Sequence, residues 1–290
     1  MTRFLFRNGC VLSLILFAVI SNAYANNGYK LWLEYSKINN PRLADTYRQQ
    51  LRHMVFPVTS DQQKAARKEL LTGLDGMLSL KPDDVKAILN AQTLVAGTPQ
   101  TLRSLSISIP AEIGNEGYLV KTVSINEKKC TIITANTDVG LLYGVFNFLK
   151  LIQTGKPITN LDIADHPRIT YRILDHWDNL NRTIERGYAG SSIWNWHKLP
   201  DVIDQRYIDY ARANTSVGIN GSVINNVNSD ALILSTQYLV KIRALANVFR
   251  VYGIKIYISV KFSSPVELGG LKTADPLDAA VKKWWADKAD

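Results

Sequence analysis

Between residues 166 and 290 the chain alternates apolar strands with helical stretches, and this alternation narrows the possible folds more than any other feature. RITYRIL (168–174), INGSVINN (219–226) and IKIYISVKF (254–262) read as strands. RYIDYARANT (206–215) reads as a helix stopped by Gly218. The spacing of Leu239, Ile242, Leu245, Ala246 and Phe249 predicts a second helix from Ser235 to Tyr252, with Gly253 past its end. A third is expected after a long loop, with Asp275 as N-cap and Pro276 at the first helical position. Strands separated by helices imply a parallel sheet. A closed barrel of eight such units takes ~250 residues, and this stretch holds 125. The expected fold class is α/β, with residues 166–290 as the first strands and helices of a truncated (β/α)8 TIM barrel, since three strands cannot close one.

The preceding part is written differently. Ser60 followed by Gln63 resembles a capping box, and Ala66, Leu70, Leu74 and Met77 continue at helical spacing, which predicts a helix over 61–78. LSISI (105–109) alternates at period two, and GYLVKTVSI (117–125) is expected to pair with CTIITA (130–135) across the turn NEKK. In the next stretch Leu141, Leu142, Val145, Phe148, Leu149 and Ile152 mark one helical face, with Thr137 as N-cap and Gly155 as the stop. Lys156-Pro157 and His166-Pro167 then break the pattern, because a residue before proline is pushed out of the helical region. The sum is a small N-terminal α/β domain over 26–165. Ahead of it, Arg3 and Arg7 precede the apolar run VLSLILFAVI and the triplet Ala23-Tyr24-Ala25. This pattern predicts a secretory signal peptide over 1–25, cleaved near Ala25, and a secreted or periplasmic product. Cys10 would leave with it, and Cys130 reads as a small buried hydrophobe.

In a parallel barrel the site is built at the carboxyl ends of the strands. Those ends read Asp175-His176-Trp177-Asp178, Asn225-Asn226-Val227-Asn228 and Lys261-Phe262-Ser263. Each strand body is apolar and each end turns polar or aromatic. Tryptophan offers a flat apolar face to a sugar ring, asparagine both donates and accepts toward hydroxyls, and lysine can meet an acidic group. Asn225 and Asn226 serve either substrate or loop backbone. The first strand-to-helix loop, NRTIERGYAGSSIWNWHKLP (181–200), carries Trp194 and Trp196, which line the rim beside Trp177 or pack inside. His176 would hold a loop carbonyl or touch substrate.

The sequence also excludes several classes. His53, His166, His176 and His197 lack metal-ligand spacing. No nucleophile elbow, phosphate loop or dinucleotide fingerprint occurs. With 34 Lys and Arg against 25 Asp and Glu, and two arginines lost with the leader, the remaining excess is 32 minus 25, or +7. The basic residues are scattered and not interleaved with aromatics, which argues against nucleic acid. Beyond the leader no apolar stretch is long enough to cross a bilayer.

At these residues the chain resembles the family-67 glycoside hydrolases, the α-glucuronidases of xylan breakdown. The similarity is carried by LWLEY (31–35), EGYLVKTVSI (116–125), GLLYGVFNFLKLIQTG (140–155), HWDNLNRTIERGYAGSSIWNW (176–196), GINGSVINNVN (218–228), YGIKIYISVKFSSPVELGGLKTADPLD (252–278) and WWADKAD (284–290). The resemblance implies a leading α/β domain, a central barrel and a helical third domain that makes a homodimer. It also implies removal of α-1,2-linked (4-O-methyl)glucuronic acid from xylooligosaccharides with inversion and no cofactor. Trp177 matches the tryptophan walling the uronic-acid pocket and Val227 the position near the 4-O-methyl group. Asn225, Asn226, Lys261 and Phe262 are added from their strand-end positions. Inversion needs an acid and a base ~6.5 to 9.5 Å apart. The resemblance places both beyond Asp290, so the 290 residues alone are expected to be inactive; Asp178 and Glu185, the local carboxylates and the alternative in-chain acid and base, are expected to organise the loop instead. The alternative is a non-catalytic carbohydrate-binding protein.

Overall fold

The computed structural model describes residues 27–88, 91–103, 109–125 and 127–289. The expected leader (1–25) and most of the expected strand LSISI (105–109) lie outside them. By contacts the chain divides into residues 1–32 and 33–290, and the architecture below is that of the second unit.

This unit opens with helix α1 (Pro41–Gln50), strand β1 (His53–Val55) and helix α2 (Asp61–Leu78). Strands β2 (Asp83–Asp84), β3 (Thr93–Gly97), β4 (Tyr118–Ile125) and β5 (Lys128–Thr134) follow, then helix α3 (Asp138–Gln153) and strand β6 (Asp162–Asp165). These strands make one six-stranded sheet in the order β2-β1-β3-β5-β4-β6. It is parallel from β2 to β5 and antiparallel at β4 with both neighbours. The second sheet starts with β7 (Ile173–Asp175), continues through helix α4 (Gln205–Ser216), β8 (Gly221–Val223) and helix α5 (Thr236–Val251), and ends with β9 (Lys255–Tyr257). Its order is β7-β8-β9 and both pairings are parallel, as the alternation predicts. The short helix α6 (Ser264–Glu267) and helix α7 (Ala279–Ala289) complete the described chain.

Local chemistry explains most boundaries. The Ser60 hydroxyl accepts from Gln63 N at 3.1 Å and starts α2 as expected, although Gln63 returns its side-chain oxygen to Thr59 N (2.8 Å) instead of to Ser60. Thr137 caps α3 by accepting from Gly140 N. Every residue expected on the inner face of α3 is fully buried, and Tyr143 and Phe146 on its other side are buried too, so the helix is covered over most of its surface, as its nearly uninterrupted apolar sequence requires, with Lys150 left exposed. Gly73 of α2 lies where a Cβ would come within 2.5 Å of Leu149, so it brings α2 and α3 into close contact.

Helices α4 and α5 end alike. Gly218 N donates to Thr215 O and Ile219 N to Asn214 O, while Gly253 N donates to Arg250 O and Ile254 N to Phe249 O. Both glycines have positive φ, 84° and 72°, which a glycine adopts without strain and which turns each helix directly into the next strand. A Cβ at Gly253 would also lie 2.2 Å from Val139 Cγ2. Gly253→Ala is therefore expected to cost about 2 kcal/mol of unfolding free energy, measured by urea denaturation. A loss below ~0.5 kcal/mol would contradict this origin of the turn.

Several boundaries differ from the sequence expectation. Residues 168–172 are not strand: Asn220 Oδ1 accepts from Arg172 N at 2.9 Å, and the Arg172 guanidinium is drawn to Gly218 O, Ile169 O and Glu116. The ladder starts at Ile173 because its partner strand only begins at Gly221. Register pairs Ile125 with Lys128, so Lys128 and Lys129 belong to β5 and not to the turn. Asp275 forms a local turn, accepting from Leu277 N, and Asp278 caps α7 by accepting from Ala280 N and Val281 N. The long loop after β9 contains α6, and α1 appears where no helix was expected, capped by Asn40 with Pro41 at its start. Cys130 is buried in β5.

Candidate functional site

The carboxyl ends of β7, β8 and β9 lie side by side because the ladder runs past the strands. His176 N donates to Val223 O (3.0 Å) and Ile224 N to Tyr257 O (3.1 Å). From this shelf the three polar ends diverge into loops, and a cavity of about 390 Å³ opens there. It is lined by Asp178, Asn179, Leu180 and Asn181 from the first loop, Asn225, Asn228, Ser229 and Asp230 from the second, and Lys261 and Glu267 from the third.

The asparagines of the second loop act mainly on backbone. Asn225 accepts from Ser259 N and donates to Ser259 O, both at 2.9 Å, which ties the β8 end to the β9 end. Asn226 N donates to Asp178 O, its amide donates to Asn179 Oδ1 and Glu185 O, and its oxygen accepts from Asn228 N. Both side chains are buried. Of the two roles open to them, the structure displays loop closure, and Asn225 also forms part of the cavity wall.

The first loop folds back on itself through bridges between Asp178 and Ile184 and between Thr183 and Ser191. Glu185 sits at φ 56°, a left-handed conformation costly for a side-chain residue. It is held there because its N donates to Trp177 O at 2.9 Å and its carbonyl accepts the Asn179 amide at 2.8 Å. Its carboxylate lies 4.0 Å from Arg186 Nε. Asp178 is buried, 3.8 Å from His176 Nδ1. His176 does not hold a loop carbonyl: its Nε2 meets the Tyr210 hydroxyl at 2.6 Å, which in turn meets Ser222 Oγ at 3.1 Å. Burial pulls the His176 imidazole below the usual histidine range, against the opposing influence of Asp178 and Asp175.

The tryptophans separate into two groups. Trp194 and Trp196 are fully buried, and the Trp194 ring packs against Tyr207, Tyr210 and Phe249 at centroid distances of 5.7, 5.3 and 5.7 Å. They form the core between the second sheet and its helices. Trp177 is 44% exposed, with its indole N–H 3.4 Å from Asp175 Oδ2. Val227 and Phe262 are also exposed, and with Trp177 they lie outside the wall of the cavity. The structure thus gathers Asp178, Asn225 and Lys261 around one cavity and leaves Trp177, Val227 and Phe262 as exposed apolar groups on the same strand-end loops.

Sequence reasoning placed Asn228 at its strand end without giving it a role, and passed over Ser229, Asp230 and Glu267. Asp230 accepts from Leu232 N and starts a 3-10 turn over Ala231–Leu234. Glu267 reaches the cavity because Ser263, Ser264 and Pro265 start a single helical turn just beyond Lys261. The serine-proline pair was the available signal. Among the described residues no group of three or more His, Cys, Asp or Glu is placed to hold a metal ion, and no helix is long and apolar enough to cross a membrane.

Comparison with known proteins agrees across both sheets. Residues 31–148 match the model of the glycosyl hydrolase family 67 N-terminus, and residues 151–290 match the model of the glycosyl hydrolase family 67 middle domain. A probable alpha-glucuronidase A of Aspergillus terreus is 35% identical over 276 residues, covering 92% of this chain and 32% of that protein. An alpha-glucuronidase of Hypocrea jecorina is 33% identical over 300 residues, covering 96% of this chain and 34% of that protein. The chain thus spans about a third of the length of the curated relatives it matches. Among solved structures, a family GH115 4-O-methyl-alpha-glucuronidase with specificity for decorated arabinogalactans superposes with a TM-score of 0.55 at 13% identity, covering 82% of this chain and 34% of that one. A GH138 enzyme targeting pectin rhamnogalacturonan II reaches 0.53 at 15% identity, covering 81% and 28%. At these identities the likeness is one of fold. Matched over both of its sheets, the chain belongs to glycosyl hydrolase family 67.

Proposed function

We propose that the cavity at the ends of β7, β8 and β9 is part of an α-glucuronidase substrate site, and that these strands open a (β/α)8 barrel. The observation that carries the reading is the convergence of all three polar strand ends on one cavity, in a chain of this family. The substrate class is a xylooligosaccharide bearing α-1,2-linked (4-O-methyl)glucuronic acid, cleaved with inversion. Trp177 offers its exposed face to the sugar ring, Val227 and Phe262 offer apolar contact, and Asn228 supplies hydrogen-bonding groups toward hydroxyls. Asn225 and Asn226 hold the loops that carry them. The acid and base of hydrolysis are not assigned to Asp178 or Glu185, because the first is buried against His176 and the second is locked into its loop.

That last point also favours a second reading, in which these residues bind the sugar without cleaving it. Calorimetry with an aldouronic oligosaccharide, coupled to an assay for freed glucuronic acid, separates the two. Binding is expected, and Trp177→Ala is expected to weaken it about tenfold, ~1.4 kcal/mol. Binding without release supports the second reading for this chain, and the absence of binding contradicts both.

A further inference from the structure

Three carboxylates line the cavity, and they are not equally engaged. Glu267 Oε1 lies 2.7 Å from Lys261 Nζ, so those two charges answer each other. Asp230 accepts from Leu232 N at the start of its 3-10 turn. Asp178 is the most buried of the three, with 4% of its side chain exposed, and no described residue donates a hydrogen bond to its carboxylate. The group that faces it, His176 Nδ1, lies 3.8 Å away. Burial leaves that imidazole neutral at pH 7, with its other nitrogen already engaged by Tyr210. The backbone gives Asp178 no freedom to turn toward another partner, because its carbonyl accepts from Asn226 N at 2.8 Å and the residue bridges to Ile184. A buried carboxylate is unfavourable unless donors reach it, and this one forms part of the wall of a polar cavity, one residue after the exposed Trp177.

The charges around it narrow the donor. An anion meets three carboxylates against one lysine that is already paired. A metal ion lacks a set of ligands, since among the described residues no group of three or more His, Cys, Asp or Glu is placed to hold one. Neutral O–H donors remain, and an ionised carboxylate has two oxygens with about four lone-pair sites to receive them.

We propose that Asp178 is the hydroxyl receptor of this cavity, accepting from two adjacent hydroxyls of one sugar ring. The inference rests on the reading of the cavity as a sugar site and adds an orientation to it. In a uronic acid joined through its anomeric carbon and methylated on O4, the free ring hydroxyls are O2 and O3, which are neighbours. A single carboxylate can accept from both, and such charge-assisted bonds are stronger than neutral ones. The ring then turns its hydroxyl edge toward Asp178 and its acid group away from this acidic wall.

The test is an NMR titration of the 290-residue chain and its Asp178→Asn variant with methyl α-D-glucuronoside and its 2-deoxy and 3-deoxy analogues. The parent is expected to bind each deoxy sugar about tenfold or more weaker than the full glucuronoside, the range for a hydrogen bond to a charged group. Asp178→Asn is expected to bind the full sugar more weakly and to narrow both gaps to about threefold, the range of a neutral bond. If the parent binds all three sugars equally, or the gaps are the same in both proteins, the inference fails and the sugar site stands. If none of the sugars binds the parent, the sugar site fails and the inference with it. The deoxy comparison on the parent needs no substitution, and a matching amide fingerprint spectrum verifies that the variant is folded.

Discussion

Glu69→Ala is expected to lower the unfolding free energy by about 3 kcal/mol. Glu69 of α2 is buried, and it accepts from Arg212 Nε and Nη2 of α4 at 2.6 and 2.7 Å and from the Tyr35 hydroxyl at 2.5 Å. The Arg212 guanidinium also lies 5.7 Å from the Tyr35 ring centroid. Burial, reinforced by the Glu69 charge, holds Tyr35 protonated far above the usual phenol range, so the hydroxyl remains a donor. Removing the glutamate leaves a cation and a hydroxyl with lost partners in a confined place. The Arg212 side chain keeps 19% of its exposure, which puts the loss toward the lower end for a broken buried pair. Replacing both partners, Glu69→Leu with Arg212→Met, is expected to recover most of the loss, because the penalty comes from the orphaned charge. Guanidinium chloride unfolding measures both. A single-variant loss below ~1 kcal/mol would show that the link between α2 and α4 is ornamental to stability.

The second large effect separates two tryptophans of the same segment. Trp194→Ala is expected to cost about 3 to 5 kcal/mol, the range for truncating a large buried aromatic, because its ring is packed among Tyr207, Tyr210 and Phe249. Trp177→Ala is expected to stay within ~0.5 kcal/mol of the parent, since its ring is half exposed. Denaturant midpoints of the two variants provide the measurement. Equal losses would contradict the division between core and rim.

That division was not legible in the sequence. Trp177, Trp194 and Trp196 occur within 20 residues, and no periodicity marks which of them points inward, because the segment between them is a loop whose path is set by long-range contacts such as Lys241 Nζ to Trp196 O. What was legible is what short-range chemistry determines. The helices α2 and α3 carry their caps at Ser60 and Thr137 and their apolar faces at regular spacing, and Gly218 and Gly253 mark the ends of α4 and α5. The parallel order of the second sheet followed from alternation alone. Strand lengths did not, because RITYRIL has strand-like residues throughout but a ladder partner only from Ile173 onward. Among the site residues, Lys261 stood out by its place at a strand end. Glu267 did not, because only the turn of α6 returns it to the same cavity. Asn225 and Asn226 show the limit of residue-type reasoning: an asparagine suits a sugar hydroxyl and a backbone amide equally, and which it serves depends on a neighbour, here Ser259 and Glu185, that lies far along the chain.

The claim that the strand ends form a uronic-acid sugar site is tested most directly by mapping amide and indole shifts of the chain as a (4-O-methyl)glucuronoxylo-oligosaccharide is added. The account predicts saturable shifts centred on the Trp177 indole, Asn228 and Lys261, with those of Asn228 and Lys261 saturating at about tenfold higher concentration in Trp177→Ala. Shifts confined to another face, or none at concentrations that saturate family members, would contradict it.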